Sequence, residues 1–400
     1  MKTSLQLNII ISVILGIIAG VFGDGLIGVY SFLGKGFITL LKYIVVPLVF
    51  ASLVSGVISL GNLSSLRNMG LKTLSYFIIT TAISSSIGIL LAVIINPGKG
   101  FTLTSAEISA NTKAMTIREM FAQIIPTDFI GFISGGNMLF LIIISILIGV
   151  LIVAFGRKIT FPVDELFEGF NVFMMIITGW VIALSPIGIF GLVAQLIATT
   201  GMAAFIPLLK YMIVVVSGLI IHAIIVLPLI IKLFVKCSPI SVSKDVFTSL
   251  ATGFTTASSA ATLPVLLEDA RQKLKVPNKV ASFVLPLGIT INMDGTALFQ
   301  SVAAVFIAQI YGVPLSITSI LMIIFITILA SIGAAAVPSA GIITLAMILT
   351  AIGAPLDGTA IILGIDRILD MIRTTVNLWG NTSATLVVTK WLGNDAFETK

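Results

Sequence analysis

Near its C-terminal end, the sequence places an acid, a base and an amide one helical turn apart in an apolar stretch long enough to cross a membrane. Asp370, Arg373 and Asn377 fall on one helical face, and Asp366 begins the same face. A charge in hydrocarbon costs at least about 2.5–3.5 kcal/mol, so such residues normally face a polar cavity and mark a substrate path. An acid beside an arginine could hold an ammonium and a carboxylate together. The pattern predicts a transport site for a ligand such as an acidic amino acid.

A second polar motif interrupts an earlier apolar helix with the sequence Asn-Met-Asp-Gly-Thr at 292–296. Asn, Asp and Gly are poor helix formers, and an unwound turn would free backbone carbonyls. Carbonyl, amide and hydroxyl oxygens with one carboxylate suit a hard cation such as Na⁺, and Asp294 supplies the charge. The alternative is a kink in which Asp294 bonds to a neighbouring helix.

The C-terminal cluster also has a purely structural explanation, which is an internal ion pair between Asp370 and Arg373 without a ligand. Thr374 and Asn377 extend the polar face beyond the needs of one pair and favour ligand binding. No phosphate loop, nucleophile elbow or HExxH motif is present. The chain is predicted not to be an enzyme, although an intramembrane hydrolase could pair Asp294 with Asp366 or Asp370. A passive channel is another alternative.

Composition limits the class of protein that can carry these motifs. The chain has 400 residues, of which 58% are hydrophobic and only 10% charged, and its mean hydropathy is +1.20. About a quarter of residues are charged in soluble proteins, so this is predicted to be an integral membrane protein. The first apolar run, Leu5–Phe22, could be a signal peptide but is long for one and is expected to be retained.

The remaining composition argues against other partners and sites. The lone Cys237 and lone His222 exclude a disulfide framework or a zinc cluster of these residue types. His222 is expected to pack between helices with one hydrogen bond, with a proton relay as the alternative. The basic residues occupy loops between spans and serve as topology signals rather than nucleic-acid contacts. Their asymmetry predicts an orientation with both termini inside, and the low loop content indicates a prokaryotic cytoplasmic membrane.

Hydropathy predicts the architecture that positions the motifs. Apolar runs near 5–23, 37–60, 72–95, 138–155, 168–198 and 204–234 are separated by polar breaks, and the 168–198 run should kink at Pro186. Two later segments, 246–275 and 318–352, have short apolar arms around small residues and a proline. Each is predicted to be a re-entrant hairpin preceding a full span, at 278–311 and 357–391. Small residues could instead serve close helix packing. The hairpin–helix pairs indicate an inverted repeat.

Four segments resemble the dicarboxylate/amino acid:cation symporter family, which includes sodium-coupled aspartate and glutamate transporters. They are 258–264, 286–300, 331–341 and 364–391, and the likeness covers nearly the whole chain. The resemblance implies an all-α polytopic membrane protein with eight transmembrane helices, two re-entrant hairpins and an elevator mechanism in a homotrimer. It assigns 1–71 and 138–203 to scaffold helices, 72–137 to a transport-domain helix and an extracellular loop, and 204–400 to the sixth helix and the rest of the transport domain.

The resemblance also implies the site residues. Arg373 would bind the substrate's side-chain carboxylate and Asp370 its amino group. The rest of the substrate shell would comprise Ser258, Ser259, Thr296, Val337, Gly341, Thr374 and Asn377. No resident cofactor is implied, only a co-transported cation. The cation sites would comprise Phe77, Thr80, Thr81, Gly288, Thr290, Asn292, Asp294, Ser331, Ile332, Ala334, Asn377 and Asn381.

Two departures from the family pattern concern the coupling ion. Sodium-coupled members carry Asp where this chain has Asn381, and the nearby basic residue is Arg367, a placement also found in proton-coupled bacterial carriers. Sodium is favoured, with protons as the alternative. Aspartate or glutamate satisfies both Asp370 and Arg373, whereas a C4-dicarboxylate lacks the ammonium. A neutral amino acid is expected to leave Arg373 buried and unpaired, at a cost of several kcal/mol.

Overall fold

The structure, a computed structural model, describes residues 5–59, 63–100, 138–155, 162–200, 205–333, 340–363 and 365–393. These residues are almost entirely helical, and no strand occurs among them. The all-helical part of the fold prediction is therefore confirmed. The described helices of the first half are α1 (Leu5–Phe22), α2 (Ile27–Ser59), α3 (Leu63–Ile95), α4 (Met138–Phe155), α5 (Val163–Ala183), α6 (Ser185–Thr200) and α7 (Phe205–Ile221).

The second half begins with a π-helical continuation of α7. The segments His222–Val226 and Ile231–Val235 are π-helical and flank the short helix α8 (Leu227–Ile230). The later helices are α9 (Pro239–Asp245), α10 (Phe247–Thr256), α11 (Ser259–Gln272), α12 (Asn278–Ile291), α13 (Asp294–Ile310), α14 (Ile317–Gly333), α15 (Ala340–Ala351), α16 (Thr359–Leu363) and α17 (Asp366–Trp391).

Helix boundaries follow the hydropathy prediction closely in some places and not in others. The predicted kink near Pro186 lies between α5 and α6, which are bent by 50°. The predicted polar break at 61–71 separates two apolar runs but is largely helical, because α3 begins at Leu63 and its apolar span only at Met69. Polar residues at the end of a membrane helix extend it beyond the hydrocarbon, and hydropathy does not register that extension.

The first predicted hairpin covers α10 and α11, which pack against each other. Ala257 ends α10 in the left-handed conformation, with φ of 49°. The Ser258 side chain then caps α11 by accepting a hydrogen bond from the Ala261 backbone at 3.3 Å. In the second predicted hairpin, α14 and α15 also pack together. Its tip, residues 334–339, lies outside the described residues.

Membrane character is visible in the distribution of polar and apolar residues on α3. Thr80, Thr81 and Ser84 are buried, whereas Ile79 and Leu90 on the same helix are exposed. An apolar exterior around a polar interior is expected where lipid is the solvent. Within the described residues, three helical stretches are long and apolar enough to cross a membrane, and the bent α5–α6 pair is a fourth. The total of eight spans stays a prediction.

Packing brings the later helices together around α17. Helices α10, α12 and α13 all pack along α17, and α3 runs beside α13. Helices α1, α2 and α6 form a separate set of contacts, in which α1 and α2 both pack on α6. The polar motifs of the sequence therefore meet where α3, α7, α12, α13 and α17 converge.

Candidate functional site

The Asn-Met-Asp-Gly-Thr motif breaks one long helix into α12 and α13. Asn292 is extended, with φ of −102° and ψ of 97°, and α13 resumes at Asp294. Asn292 and Asp294 are both completely buried. Placing the acid in the first turn of α13 is favourable because the helix N-terminus carries partial positive charge. The predicted unwound turn is confirmed and spans only Asn292 and Met293.

Asp294 is held by hydroxyl groups from α3 and by an imidazole from the π-helical segment. Thr81 donates to Asp294 Oδ1 at 3.0 Å, and Ser84 donates to the Asp294 backbone carbonyl at 2.7 Å. His222 Nε2 lies 3.2 Å from Asp294 Oδ2, and the His222 side chain is completely buried. His222 therefore makes the one hydrogen bond expected of it, and its partner is the central acid of the predicted cation site.

A chain of amides lies beside this carboxylate. Thr80 donates to Asn292 Oδ1 at 3.5 Å, and Asn292 Nδ2 donates to Asn381 Oδ1 at 3.0 Å. Asn381 is completely buried, and its Nδ2 has no hydrogen-bond partner among the described residues. Gly288 allows this approach, since a Cβ there would lie 2.5 Å from Asn381 Oδ1. Asn381, which differs from the aspartate of sodium-coupled family members, thus lies in the predicted cation region.

Arg373 lies at the centre of the second cluster and is completely buried. Its Nη2 donates to Asp370 Oδ1 at 2.6 Å, and its Nη1 lies 3.0 Å from Asp366 Oδ1. The guanidinium carbon also stands 3.9 Å from the centre of the Phe299 ring. One guanidinium therefore faces two buried carboxylates. Asp366, Asp370 and Arg373 stand at positions i, i+4 and i+7 of α17, which share a helical face.

Asn377 connects the two halves of the site. Its Oδ1 accepts hydrogen bonds from the backbone nitrogens of Gly295 at 2.8 Å and Thr296 at 3.4 Å. Its Nδ2 donates to Thr296 Oγ1 at 3.2 Å. A Cβ at Gly295 would lie 2.7 Å from the Arg373 carbonyl oxygen, so glycine permits α13 to begin directly against α17. Asn377 thereby satisfies backbone donors at the N-terminus of α13.

The second hairpin reaches the same cluster through Gly341. A Cβ there would lie 3.0 Å from Thr296 Cγ2 and 3.3 Å from Arg373 Nη1. Gln300 donates to the Gly341 carbonyl at 3.0 Å and also contacts Thr344. Gly341, Thr296 and Arg373 are therefore brought together as predicted. Val337 lies outside the described residues.

The remaining predicted residues take several positions. Ser259 and Thr374 are buried, and Ser258 caps α11. The Thr290 and Ser331 hydroxyls donate hydrogen bonds within their own helices. Thr290 donates to the Leu287 carbonyl at 2.8 Å, and Ser331 donates to the Ile328 carbonyl at 2.7 Å. Phe77 is buried and lies beside Gly288. Ile332 belongs to α14, and Ala334 lies outside the described residues.

Several contributors were not predicted as site residues, among them Ser84 and His222 beside Asp294. Phe299 and Gln300 lie three and four positions after Thr296 on α13, so helical spacing from a predicted residue was the available signal. Tyr211 of α7 is completely buried, its hydroxyl has no hydrogen-bond partner among the described residues, and it lies within the electrostatic influence of Arg373 and Asp366. No group of three or more His, Cys, Asp or Glu side chains suited to a metal ion occurs in the described part of the chain. A bound cation would therefore combine the single carboxylate of Asp294 with carbonyl, amide and hydroxyl oxygens.

Comparison with known proteins identifies the family. Residues 5–391 match the model of the sodium:dicarboxylate symporter family. A proton/sodium-glutamate symport protein of Bacillus caldotenax is 35% identical over 404 residues, which cover 98% of this chain and 95% of the relative. A proton/glutamate-aspartate symporter of Escherichia coli (strain K12) is 33% identical over 414 residues, covering 98% and 93%. The neutral amino acid transporter B(0) of Bos taurus is 33% identical over 399 residues, covering 90% and 73%. The chain belongs to the sodium:dicarboxylate symporter family.

Proposed function

We propose that this protein is a secondary active symporter that takes up aspartate or glutamate together with a cation. One observation carries the proposal: a completely buried guanidinium, Arg373, pairs with Asp370 at 2.6 Å at the polar centre of a membrane helix bundle. A buried ion pair is weak support for stability, because desolvation offsets its Coulomb energy. The buried pair is better explained as a binding site for a ligand that carries the same two charges.

The proposed ligand contacts follow from hydrogen-bonding capacity. The planar fork of Arg373 suits the side-chain carboxylate, and Asp370 suits the ammonium group. The substrate's α-carboxylate would accept from hydroxyl and amide donors near the two predicted hairpins. Those proposed donors and lining groups are Ser258, Ser259, Thr296, Val337, Gly341, Thr374 and Asn377.

The coupling cation would bind near the break between α12 and α13. Asp294 supplies the negative charge there, and Asn292, Asn381 and Thr81 supply neutral oxygens. The Bacillus caldotenax relative is named for both protons and sodium, and the Escherichia coli relative for protons. The neutral Asn381 favours fewer sodium ions than an aspartate would. An elevator movement of the later helices, a homotrimer, and a cytoplasmic membrane location with both termini inside belong to the same proposal.

A neutral amino acid is the second candidate substrate, and one contact favours it. Because Asp366 as well as Asp370 faces Arg373, a neutral ligand would leave Arg373 paired. The sequence argument that Arg373 would then be unpaired does not hold in this structure. The bovine relative is named for neutral amino acids. Acidic substrates stay preferred, since a charge-assisted hydrogen bond contributes about 1.5–3 kcal/mol against about 0.5–1.5 kcal/mol for a neutral one.

The test is uptake of radiolabelled glutamate and aspartate into proteoliposomes, with a sodium or a proton gradient imposed separately. Concentrative uptake with either gradient supports symport and names the ion. Asp370→Asn and Arg373→Ala should each abolish that uptake in correctly inserted protein. Normal uptake by either variant would reject the site, and solute flux that neither gradient drives and that does not saturate would indicate a channel.

A further inference from the structure

The cluster around Arg373 contains more negative charge than the proposed substrate contacts need. Asp366 lies 3.0 Å from Arg373 Nη1 with 2% of its side chain exposed, and Asp370 lies 2.6 Å from Nη2. Asp370 has an assigned partner in the substrate ammonium. The proposed function gives Asp366 no role in substrate binding. Asp366 nevertheless contacts Arg373 Nη1, which the substrate carboxylate would use.

Substrate binding therefore changes the environment of Asp366. When a side-chain carboxylate takes over Arg373 Nη1, three carboxylates surround one completely buried guanidinium. A buried carboxylate that loses its cation costs several kcal/mol if it stays ionised. Uptake of a proton removes that cost, because the neutral acid is much easier to bury. The alternative of turning Asp366 towards solvent is opposed by its burial beneath the packed helices.

We propose that Asp366 is the residue that takes up a co-transported proton when an acidic substrate displaces it from Arg373. The inference rests on the proposed function, and it adds the proton-carrying group. One O–H bond forms on the Asp366 carboxylate with a proton from water at the open side. The same bond breaks when substrate leaves on the other side and Asp366 returns to Arg373. No other reactant is required.

The groups that face Asp366 support this assignment. On its own helix they are Asp370 and Arg373, one a like charge and one an opposite charge. On α7 the facing group is Tyr211, whose buried hydroxyl has no hydrogen-bond partner among the described residues. The other acid, Asp294, already has a donor in Thr81 and a contact with His222, and neither of these contacts involves Arg373.

The experiment measures protons and substrate together in purified, detergent-solubilised protein. Glutamate is added in weak buffer with a pH-sensitive dye, while binding is followed by calorimetry. The wild type should take up about one proton per glutamate bound. Asp366→Asn should bind glutamate with no proton uptake and should still exchange internal for external glutamate in proteoliposomes. Asp164→Asn changes an exposed aspartate outside the site and is the matched control, with wild-type proton uptake expected.

The outcomes distinguish a failure of the Asp366 assignment from a failure of the proposed function. Glutamate binding by wild type without proton uptake, or full proton uptake in Asp366→Asn, would overturn the assignment. No glutamate binding by wild type would instead reject the proposed function. If Asp366→Asn does not fold, Asp366→Glu replaces it. A shifted pH midpoint of proton uptake in that variant supports the proposal, and an unchanged midpoint overturns it.

Discussion

Replacing Arg373 by lysine separates charge from geometry at the proposed substrate site. Lysine keeps the positive charge but has no planar fork, so it cannot bond Asp370 and a substrate carboxylate side by side. In the structure the two terminal nitrogens of Arg373 face different carboxylates, at 2.6 Å and 3.0 Å. Losing one charge-assisted hydrogen bond to the ligand costs about 1.5–3 kcal/mol. At about 1.4 kcal/mol per factor of ten, the Kd for glutamate should rise about 10- to 100-fold.

The assay is titration calorimetry of glutamate into purified Arg373→Lys protein, with the thermal unfolding temperature recorded alongside. Arg271→Lys is the matched control, because Arg271 is exposed on α11. It should bind glutamate as the wild type does. An Arg373→Lys variant that folds and binds glutamate with wild-type affinity would refute the bidentate role of Arg373.

Three further predictions concern other parts of the chain. Asn381→Asp adds a carboxylate beside Asn292, so the sodium concentration for half-maximal uptake should fall at least about tenfold; an unchanged sodium dependence would remove residue 381 from the cation site. His222→Ala removes a partner of a buried carboxylate at a cost of about 1–3 kcal/mol, so the thermal unfolding temperature should fall, and an unaltered temperature would contradict the observed contact. Burial raises the pKa of the Cys237 thiol, so fewer thiolates form at neutral pH and N-ethylmaleimide should label it slowly. The control is a cysteine placed at exposed position 238 in Cys237→Ser protein, which should react faster with N-ethylmaleimide. Equal labelling rates at the two positions would contradict the prediction.

Local sequence patterns were sufficient to predict the elements that position the site. The Asn-Met-Asp-Gly-Thr motif predicted the break at Asn292 because it combines poor helix formers within an apolar span. The short arms and small residues of 246–275 predicted a break between two short helices, and α10 and α11 are separated where Ala257 adopts a left-handed conformation and Ser258 caps α11. Signals of this kind lie within a few residues of one another and need no knowledge of the tertiary packing.

Contacts between helices that are distant in sequence could not be predicted in the same way. The pairing of His222 with Asp294 depends on how α7 and α13 pack, and hydropathy does not specify which faces meet. The packing of Phe299 against Arg373 has the same origin. Asp366 was predicted to share the face of Arg373, but its direct contact required the side-chain geometry of α17. Long-range packing therefore determined which polar residues became partners.

Competition binding tests the central claim most directly, which is that Asp370 and Arg373 together recognise an ammonium and a side-chain carboxylate. Radiolabelled glutamate bound to the purified wild-type protein is challenged with unlabelled aspartate, glutamine and succinate. Aspartate should displace it, whereas glutamine, which lacks the carboxylate, should compete at least about tenfold less well. Succinate lacks the ammonium and should compete more weakly still. Equal competition by succinate or glutamine would contradict the account.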